Sequence, residues 1–353
     1  MIKENKALPY LLTALACLCF ATMCNAKSFV DYVDQGIPID ENGRYSNHDQ
    51  HLSTSSTAVR LSFLMRRFSA AFRDYTNLPN QQANNGQWLR DNTEQASVTW
   101  VGHSTLLVQM QGINFLTDPI WSKIASPIPP IGPRRLLEPG VSIEDLPPID
   151  FVVISHNHYD HFDLPTLRLL AQRDKNTHFY VPLDNGKLLH DKGINQVTEM
   201  DWGDTVNVGN LTIHCLPSQH WSKRSLTDTN KAAWASWAVT GSNKRFYFAG
   251  DTGYFNGFKT IGEELGPFDL AAVPIGAYQP REMMQSSHMN PEEAVQSALD
   301  IQAQKAVAIH FGTFDLADEP IGEPAIRFRQ AAKTSALKLD KTWVLDIGET
   351  RLF

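Results

Sequence analysis

Short runs of apolar and β-branched residues, separated by turn residues, dominate the chain from residue 97 onward. Each run has the length and composition of a β-strand, as in SVTWVG, STLLVQM, INFLTD, FVVISH, HFYVP, LTIHCLP, WAVTG, RFYFAGD, LAAVPIG and KAVAIHFG. Helical periodicity replaces this pattern in LPTLRLLAQR, NGKLLHDKG and NPEEAVQSALDIQ. Because the strands come in consecutive runs and then alternate with helices, the pattern predicts two sheets with helices outside them.

Two segments carry strong local signals. The third helical segment begins with Asn290 and Pro291, and Glu292 and Glu293 follow in its first turn, which is typical of a helix N-terminus. The segment SPIPPIGPRRLLEPG is dense in proline and glycine, which predicts a long ordered loop near the surface. The first signal predicts where a helix begins, and the second predicts a break in regular structure.

Residues 27–95 are polar and rich in Asn, Gln and Ser, apart from the amphipathic run TAVRLSFLMRRFSAAFRDY. The apolar and arginine positions of this run predict a helix. The helix either docks on the main domain or lies at an anionic membrane surface, which binds basic residues beside large apolar ones. We therefore divide the chain into a leader at residues 1–26, an N-terminal extension at residues 27–95 and a main domain at residues 96–353.

The leader has the organisation of a secretory signal peptide. Lys3 and Lys6 precede an apolar stretch that begins at Ala7, and small residues follow. We expect cleavage near Ala26, with an uncleaved membrane anchor or lipidation of Cys17 as the alternatives. The predicted location is therefore outside the cytoplasm, either periplasmic or membrane-associated in the cell envelope.

Composition narrows the classes of function. The chain has 353 residues, of which 42% are hydrophobic, so it can bury the core of one large domain or two modest ones. Three of the four cysteines lie in the leader, so Cys215 is alone in a processed chain and cannot form an intramolecular disulfide. The net charge of -7 and the lack of a basic run argue against a nucleic-acid partner.

A dense group of metal-binding residue types follows the apolar run FVVI. His156, His158, Asp160 and His161 lie between this run and the helical segment LPTLRLL, so we expect them in a strand-to-helix loop. Side chains in such a loop can converge on one point, and imidazole with carboxylate suits zinc, manganese or iron. The group therefore predicts a metal site.

Three further residues of the same types stand at predicted strand ends. His220, Asp251 and His310 each follow the C-terminal end of an apolar run. Strand ends at one edge of a sheet bring side chains together, and a carboxylate can bridge two cations. We therefore expect seven metal ligands, His156, His158, Asp160, His161, His220, Asp251 and His310.

The spacing H-x-H-x-D-H, followed by a distant His, Asp and His, is that of the metallo-β-lactamase superfamily. Over roughly residues 97–318, longer segments resemble the N-acyl-phosphatidylethanolamine-hydrolysing phospholipase D family, among them TWVGHSTLLV, FLTDPIWS, ISHNHYDHFD, QHWSKR, FAGDTGYF, HMNPEEAV and VAIHFGTF. The resemblance implies an α+β fold, the metallo-β-lactamase αββα sandwich of two mixed sheets flanked by helices. Classical β-lactamases of this fold commonly have cysteine where Asp251 stands, so the resemblance is not to that subgroup.

The resemblance also implies a dizinc site and a reaction. One zinc would be bound by His156, His158 and His220 and the other by Asp160, His161 and His310, with Asp251 between them. A hydroxide between the zincs would attack the phosphorus of an N-acyl-phosphatidylethanolamine-like lipid, releasing N-acylethanolamine and phosphatidic acid, while Asp160 and Asp251 orient it. We expect two Zn²⁺ per chain, with manganese or iron as alternatives. The expected partners are a phospholipid substrate, a membrane surface and a second copy of the chain in a homodimer.

Other residues are candidates for contact with the substrate. His288, in SSHMNPEE, matches a family histidine near the lipid head group and is expected to assist the reaction. Arg134 and Arg281 are candidates for phosphate binding, with structural salt bridges as the alternative. His103, in WVGHST, is expected to be an internal residue that packs behind the ligands. Acyl chains need apolar cover, which we expect from the amphipathic run together with Trp121, Ile128 and Ile131.

Two other functions remain open. Another hydrolase of the same fold, such as a lactonase or a soluble phosphodiesterase, would use the same metal ligands and differ only in its pocket. A non-catalytic metal-binding protein of the envelope would hold the metal without turning over any ester or phosphodiester. Assays with a soluble phosphodiester and with a lipid separate these alternatives.

Overall fold

The computed structural model describes residues 29, 33, 35–48, 55–68 and 75–353 of the protein. The predicted leader at residues 1–26 lies outside these residues, as do residues 69–74 of the predicted amphipathic run. Among the residues described, no helix has both the length and the apolar character needed to cross a membrane.

The described residues form two seven-stranded sheets with helices packed on them. The strands are β1 (Ser97–Gly102), β2 (Thr105–Met110), β3 (Ile113–Thr117), β4 (Phe151–Val153), β5 (His178–Pro182), β6 (Val197–Met200), β7 (Thr205–Val208), β8 (Leu211–Leu216), β9 (Ser236–Thr240), β10 (Arg245–Phe248), β11 (Leu270–Pro274), β12 (Ala306–Ile309), β13 (Thr342–Trp343) and β14 (Thr350–Leu352). The helices are α1 (Thr57–Phe68), α2 (Gln87–Asp91), α3 (Leu164–Arg173), α4 (Gly186–His190), α5 (Gly257–Leu265), α6 (Arg281–Met284), α7 (Pro291–Asp300) and α8 (Glu323–Thr334), with a 3₁₀ turn at Leu339–Lys341.

Each sheet has an antiparallel half and a parallel half. The first sheet has the order β14, β1, β2, β3, β4, β5, β6, and it is antiparallel from β14 to β3 and parallel from β3 to β6. The second has the order β13, β12, β11, β10, β9, β8, β7, and it is antiparallel from β7 to β10 and parallel from β10 to β13. Two mixed sheets flanked by helices confirm the expected α+β sandwich.

Neighbouring residues of the central strands face two different cores. In β4, Phe151 and Val153 belong to the large core that contains residues of both sheets, whereas Val152 belongs to a second core. Leu167 and Leu170 of α3 are fully buried in that second core. Because both faces of β4 are covered, its sequence is a continuous apolar run, as expected for a strand buried on both sides.

The structure confirms the elements whose local signal is strong. Helices α3 and α7 occupy their predicted segments, and Asn290 caps α7 in a capping box with Glu293. The proline-rich segment at residues 126–140 has isolated bridges in place of a strand. Strands β6, β7, β13 and β14 were not predicted, and all four are edge strands. An edge strand is covered less completely, so its sequence lacks a continuous apolar run.

Polar side chains follow the ends of strands from both sheets at one edge of the sandwich. In the first sheet β1, β3 and β4 run in the same direction, and His103, Asp118 and the ligand loop at residues 155–161 follow their ends. In the second sheet β8, β10 and β12 share one direction, and they precede His220, Asp251 and His310. The two sheets meet there, because Nε2 of His161 lies 3.2 Å from Oδ2 of Asp251.

Candidate metal centre

Three histidine nitrogens converge to form the first donor set, which consists of His156, His158 and His220. Nδ1 of His158 lies 2.7 Å from Nε2 of His156 and 3.2 Å from Nε2 of His220. The side chains of His156 and His220 are buried, and that of His158 is partly buried. Three uncharged imidazoles at this spacing fit a cation with nitrogen ligands, as in zinc sites.

The protein orients two of these rings through their second nitrogen. Oγ of Ser155 lies 2.9 Å from Nδ1 of His156 and 2.5 Å from Oδ2 of Asp118. His156 therefore donates to Ser155, and Ser155 donates to the Asp118 carboxylate. Nδ1 of His220 donates to the carbonyl oxygen of Ser287 at 2.9 Å. Both arrangements leave the Nε2 lone pair facing the centre, as in metal-binding histidines.

A second donor set combines two histidines with two carboxylates. Oδ2 of Asp251 lies 3.2 Å from Nε2 of His161 and 3.0 Å from Nε2 of His310. Oδ2 of Asp160 lies 3.3 Å and 3.5 Å from the same two nitrogens. Asp118 accepts a hydrogen bond of 2.6 Å from Nδ1 of His161, which turns Nε2 of that ring inward. Imidazole and carboxylate together suit zinc, manganese or iron.

Asp251 lies between the two donor sets. Its Oδ2 is 4.0 Å from Nε2 of His220 in the first set, in addition to its contacts with the second. Oδ1 of Asp251 and Nε2 of His161 and His310 are buried without a well-formed hydrogen bond among the described residues. A buried polar atom left unpaired costs about 1–3 kcal/mol, and bound cations would satisfy all three. The structure therefore brings the seven predicted ligands together in the expected two groups.

Burial keeps the first donor set uncharged. It lowers the pKa of His158 to about 4. Burial and the neighbouring histidines lower the pKa of His156 and His220 well below 6.5. Since the neutral imidazole is the form that binds a cation, the first set is ready to bind one at neutral pH.

In the second donor set, neighbouring carboxylates raise the pKa of the histidines instead. Burial opposes protonation of His161 and His310, but Asp251 and Asp160 outweigh it. The pKa of His310 is raised to about 9, and that of His161 is raised well above 6.5. Burial alone would raise the pKa of Asp251, whereas His161 and His310 hold it well below 3.8. Without a cation these two histidines carry protons at neutral pH, and a cation must displace those protons to bind.

His103 supports Asp160 from behind. Its Nε2 lies 2.9 Å from Oδ2 of Asp160, and burial lowers its pKa to about 3, so the neutral ring donates to the carboxylate. His103 and His310 both have left-handed backbone, with φ of 54° and 60°, and the His310 N–H donates to the His103 carbonyl oxygen at 3.1 Å. Such backbone costs on the order of 1 kcal/mol per residue and persists only where its surroundings hold it. His103 thus packs behind the ligands, as the sequence suggested.

The other three candidate residues lie in different surroundings. Nδ1 of His288 is 3.8 Å from Oδ2 of Asp251, and burial lowers the pKa of His288 to about 4. Arg281 donates to both oxygens of Glu293, at 2.8 and 2.9 Å, and to the carbonyl oxygen of His288 at 3.0 Å. Arg134 is exposed in the proline-rich segment. The structure therefore places His288 beside the centre and Arg281 in a structural ion pair, while contact of any of the three with substrate stays a prediction.

Three residues that support the ligands received no role from the sequence. Asp118 ends the run FLTD just as Asp251 ends RFYFAGD, so the same strand-end signal could have found it. Ser155 directly precedes His156, but its type alone marks no function. Asn47 donates to the carbonyl oxygen of His220 at 2.9 Å from 173 positions away, and no local pattern predicts such a contact.

A cavity of about 790 Å³ lies beside the ligand loop. Its wall includes Tyr159 of that loop, Phe162 directly after it, Ile124, and Pro127 and Pro129 of the proline-rich segment. The guanidinium of Arg224 lies 4.0 Å from the centre of the Tyr159 ring and donates to the carbonyl oxygen of Phe162 at 3.0 Å. The cavity is of the size that small-molecule sites have, and Tyr159 connects its wall to Asp160.

A histidine-rich loop on one sheet and three distant ligands on the other are the hallmark of one superfamily. The chain belongs to the metallo-β-lactamase superfamily, since a family model described as "Beta-lactamase superfamily domain" matches residues 113–311. The metallo hydrolase Igni18 from the archaeon Ignicoccus hospitalis has a similar fold, with a TM-score of 0.56 and 23% identity over 74% of this chain and 99% of that one.

Two relatives with named activities are similar over most of the main domain. The N-acyl-phosphatidylethanolamine-hydrolyzing phospholipase D 1 of Caenorhabditis elegans is 43% identical over 263 residues, which are 71% of this chain and 74% of that one. The mitochondrial protein of the same description from Saccharomyces cerevisiae is 33% identical over 262 residues, 72% of this chain and 55% of that one. The protein is therefore a metal-dependent hydrolase of the superfamily that resembles this phospholipase D family.

Proposed function

We propose that the protein is a zinc-dependent phosphodiesterase of the phospholipase D type. Its substrates would be N-acyl-phosphatidylethanolamine-like lipids, and its products N-acylethanolamine and phosphatidic acid. The observation that carries the proposal is the position of Asp251, which lies within 4.0 Å of nitrogens from both donor sets. Two neighbouring cations suit the hydrolysis of a phosphodiester. The named activity of the worm and yeast relatives supports the choice of lipid.

When bound, two divalent cations supply a water molecule that is activated at neutral pH and neutralise charge on the phosphoryl oxygens. The side chains of the protein position the water and the substrate. Asp160 and Asp251 would accept a hydrogen bond from the attacking water and so orient it. The water oxygen bonds to phosphorus, the bond from phosphorus to the amide-bearing alcohol breaks, and a proton ends on that alcohol. His288, whose pKa burial lowers to about 4, lies 3.8 Å from Oδ2 of Asp251 and would donate a hydrogen bond to a substrate oxygen from its neutral ring.

The lipid assay separates the proposal from its alternatives. We expect the purified protein with two Zn²⁺ per chain to release N-acylethanolamine and phosphatidic acid from N-acyl-phosphatidylethanolamine in mixed micelles. Metal content by elemental analysis and products by mass spectrometry are measured on the same preparation. Turnover of a soluble phosphodiester or a lactone without turnover of the lipid would favour another hydrolase of the fold. Two bound cations with no turnover of any of them would favour a metal-binding protein.

We also propose that catalysis takes place at a membrane surface of the cell envelope, to which the export pattern of residues 1–26 would direct the chain. Helix α1 exposes three large apolar side chains at helical spacing, Leu61, Leu64 and Met65, which are 58%, 50% and 63% exposed. Ile128 and Ile131 of the proline-rich segment are 67% and 72% exposed. Apolar side chains exposed in this number on neighbouring segments favour contact with a lipid surface.

Both apolar segments are attached to the loop that follows His310. Arg66 and Arg67 of α1 pair with Asp318 and Asp315 at 2.6 and 2.7 Å, and both aspartates belong to this loop. The proline-rich segment joins the same loop through the bridge between Arg135 and Phe314. A membrane bound by these segments would therefore lie close to the second donor set.

The triple variant Leu61→Ser, Leu64→Ser, Met65→Ser tests this surface. Each lost side chain removes about 1 kcal/mol of apolar burial, so affinity for phosphatidylethanolamine vesicles is expected to fall roughly a hundredfold. Vesicle sedimentation measures the affinity, and activity on a soluble phosphodiester should not change. The matched control replaces three other exposed apolar residues by serine, Ile326, Leu339 and Leu352. Equal vesicle binding by the triple variant, the control and the wild type would refute the proposed membrane surface.

A further inference from the structure

Asn47 joins the N-terminal extension to a ligand of the first donor set. Its Nδ2 donates to the carbonyl oxygen of His220 at 2.9 Å, and its Oδ1 accepts from the backbone N–H of the same residue at 3.1 Å. The same Oδ1 accepts from Nε1 of Trp234 at 3.1 Å. One side chain thus satisfies both backbone groups of His220, as a neighbouring strand would do.

Asn47 is itself held because residues 35–48, here called the strap, are attached to the main domain along their length. The backbone N–H of Ile37 donates to Oδ1 of Asp201 at 2.9 Å. The hydroxyl of Tyr45 donates to Oδ2 of Asp184 at 2.6 Å, and Tyr45 N–H donates to the carbonyl oxygen of Asn230 at 2.8 Å. The strap lies outside the matched family domain at residues 113–311. The strap therefore packs on the main domain as part of it.

His220 has less local support than His156, which belongs to the same donor set. It follows β8 after a short loop, and the residues from there to the start of β9 form no helix or strand. Its ring has one hydrogen bond outside the centre, to the carbonyl oxygen of Ser287. His156, by contrast, follows β4 closely and is held through Ser155 and Asp118. The backbone position of His220 thus depends on contacts from elsewhere in the chain.

We propose that Asn47 is a positioning residue of the metal centre, which fixes the His220 backbone so that Nε2 meets the other two nitrogens of the first donor set. The strap is in consequence a component of the centre. The inference rests on cation binding by the first donor set and is independent of the substrate, so failure of the lipid assay would leave it standing.

The test titrates the metal-depleted full chain with Zn²⁺ against a competing chelator, for the wild type and for Asn47→Ala. His158→Ala identifies which of the two affinities belongs to the first donor set. Residues that orient a ligand typically contribute about 10- to 100-fold in metal affinity, so Asn47→Ala is expected to weaken that affinity by about tenfold. The affinity of the second donor set and the melting temperature of the metal-free protein should stay at wild-type values.

Two further variants keep the test decisive. Asn47→Asp retains the acceptor for His220 N–H but places an oxygen against the His220 carbonyl, so it should weaken the same affinity even if Asn47→Ala fails to fold. Tyr45→Phe removes one of the strap's bonds to the main domain but leaves those of Ile37, the Tyr45 backbone and Asn47, so it should bind both cations like the wild type. The visible spectrum of Co²⁺-loaded protein should change for the Asn47 variants alone. The proposal would be overturned if Asn47→Ala and Asn47→Asp both bound Zn²⁺ with wild-type affinities. It would also be overturned if these two variants and Tyr45→Phe all lost affinity equally at both donor sets.

Discussion

Asp251→Asn is expected to lower hydrolysis by at least about a hundredfold and to reduce the number of bound cations. The substitution keeps the size of the side chain but removes its negative charge and one of its two acceptor oxygens. His161 and His310 lose the carboxylate that lies 3.2 and 3.0 Å from their Nε2 atoms. A bound cation contributes several kcal/mol of transition-state charge stabilisation, and loss of about 3 kcal/mol of it corresponds to roughly a hundredfold in rate.

The measurement combines initial rates on the lipid with zinc content for Asp251→Asn and the wild type. Asp269→Asn is a matched control, because Asp269 precedes β11 and pairs with Lys244 away from the donor sets. The control should keep both cations and wild-type rates. A variant Asp251→Asn that retains two cations and full activity would show that this carboxylate does not link the donor sets.

Asp118→Asn is expected to weaken both donor sets at once, by about 10- to 100-fold in metal affinity for each cation. Oδ2 of Asp118 accepts from Nδ1 of His161 at 2.6 Å and from Oγ of Ser155 at 2.5 Å. Oδ1 accepts from the backbone N–H of Ser155 at 2.6 Å. An asparagine amide has one acceptor oxygen for these donors, and its NH₂ group would face an N–H or O–H that also donates. Both ligand rings would then lose their fixed orientation.

Ser155→Ala is the matched variant for this experiment. It breaks the connection to His156 but leaves the bond between Asp118 and His161, so it should weaken the first donor set alone. Chelator titrations of Asp118→Asn, Ser155→Ala and the wild type measure both affinities. Loss of only one affinity in Asp118→Asn would contradict a shared role for this carboxylate.

The sequence predicts well which residues converge at the candidate metal centre, because their signal is local and repeated. Four metal-binding residues occupy six positions in the segment from His156 to His161, and His220, Asp251 and His310 each follow an apolar run. The central strands can also be predicted from the sequence, because a strand buried on both faces is a continuous apolar run. The edge strands lack this pattern, and they were the ones that sequence reasoning did not find.

The support of the ligands is less predictable, because it consists of contacts between distant segments. The carbonyl of Ser287 that orients His220 has no sequence signature, since every residue has a carbonyl. Asn47 lies in a polar stretch that resembles a solvent-exposed linker. Arg281 was a candidate for phosphate binding, and its bond to Glu293 depends on the position of α7 relative to α6. Residue type and spacing predict which side chains are candidate metal ligands, whereas tertiary packing determines which residues hydrogen-bond to those side chains and orient them.

The hydrogen bonds of Asp118 also have a consequence for metal loading. Oδ2 of Asp118 accepts from Nδ1 of His161 and from Oγ of Ser155, which in turn accepts from Nδ1 of His156, so the protein itself orients both rings. Because the rings are fixed in this way, neither cation has to order the ligands of the other when it binds. Each donor set should therefore fill at its own zinc concentration, and under zinc shortage molecules that hold a single ion in the tighter set should accumulate.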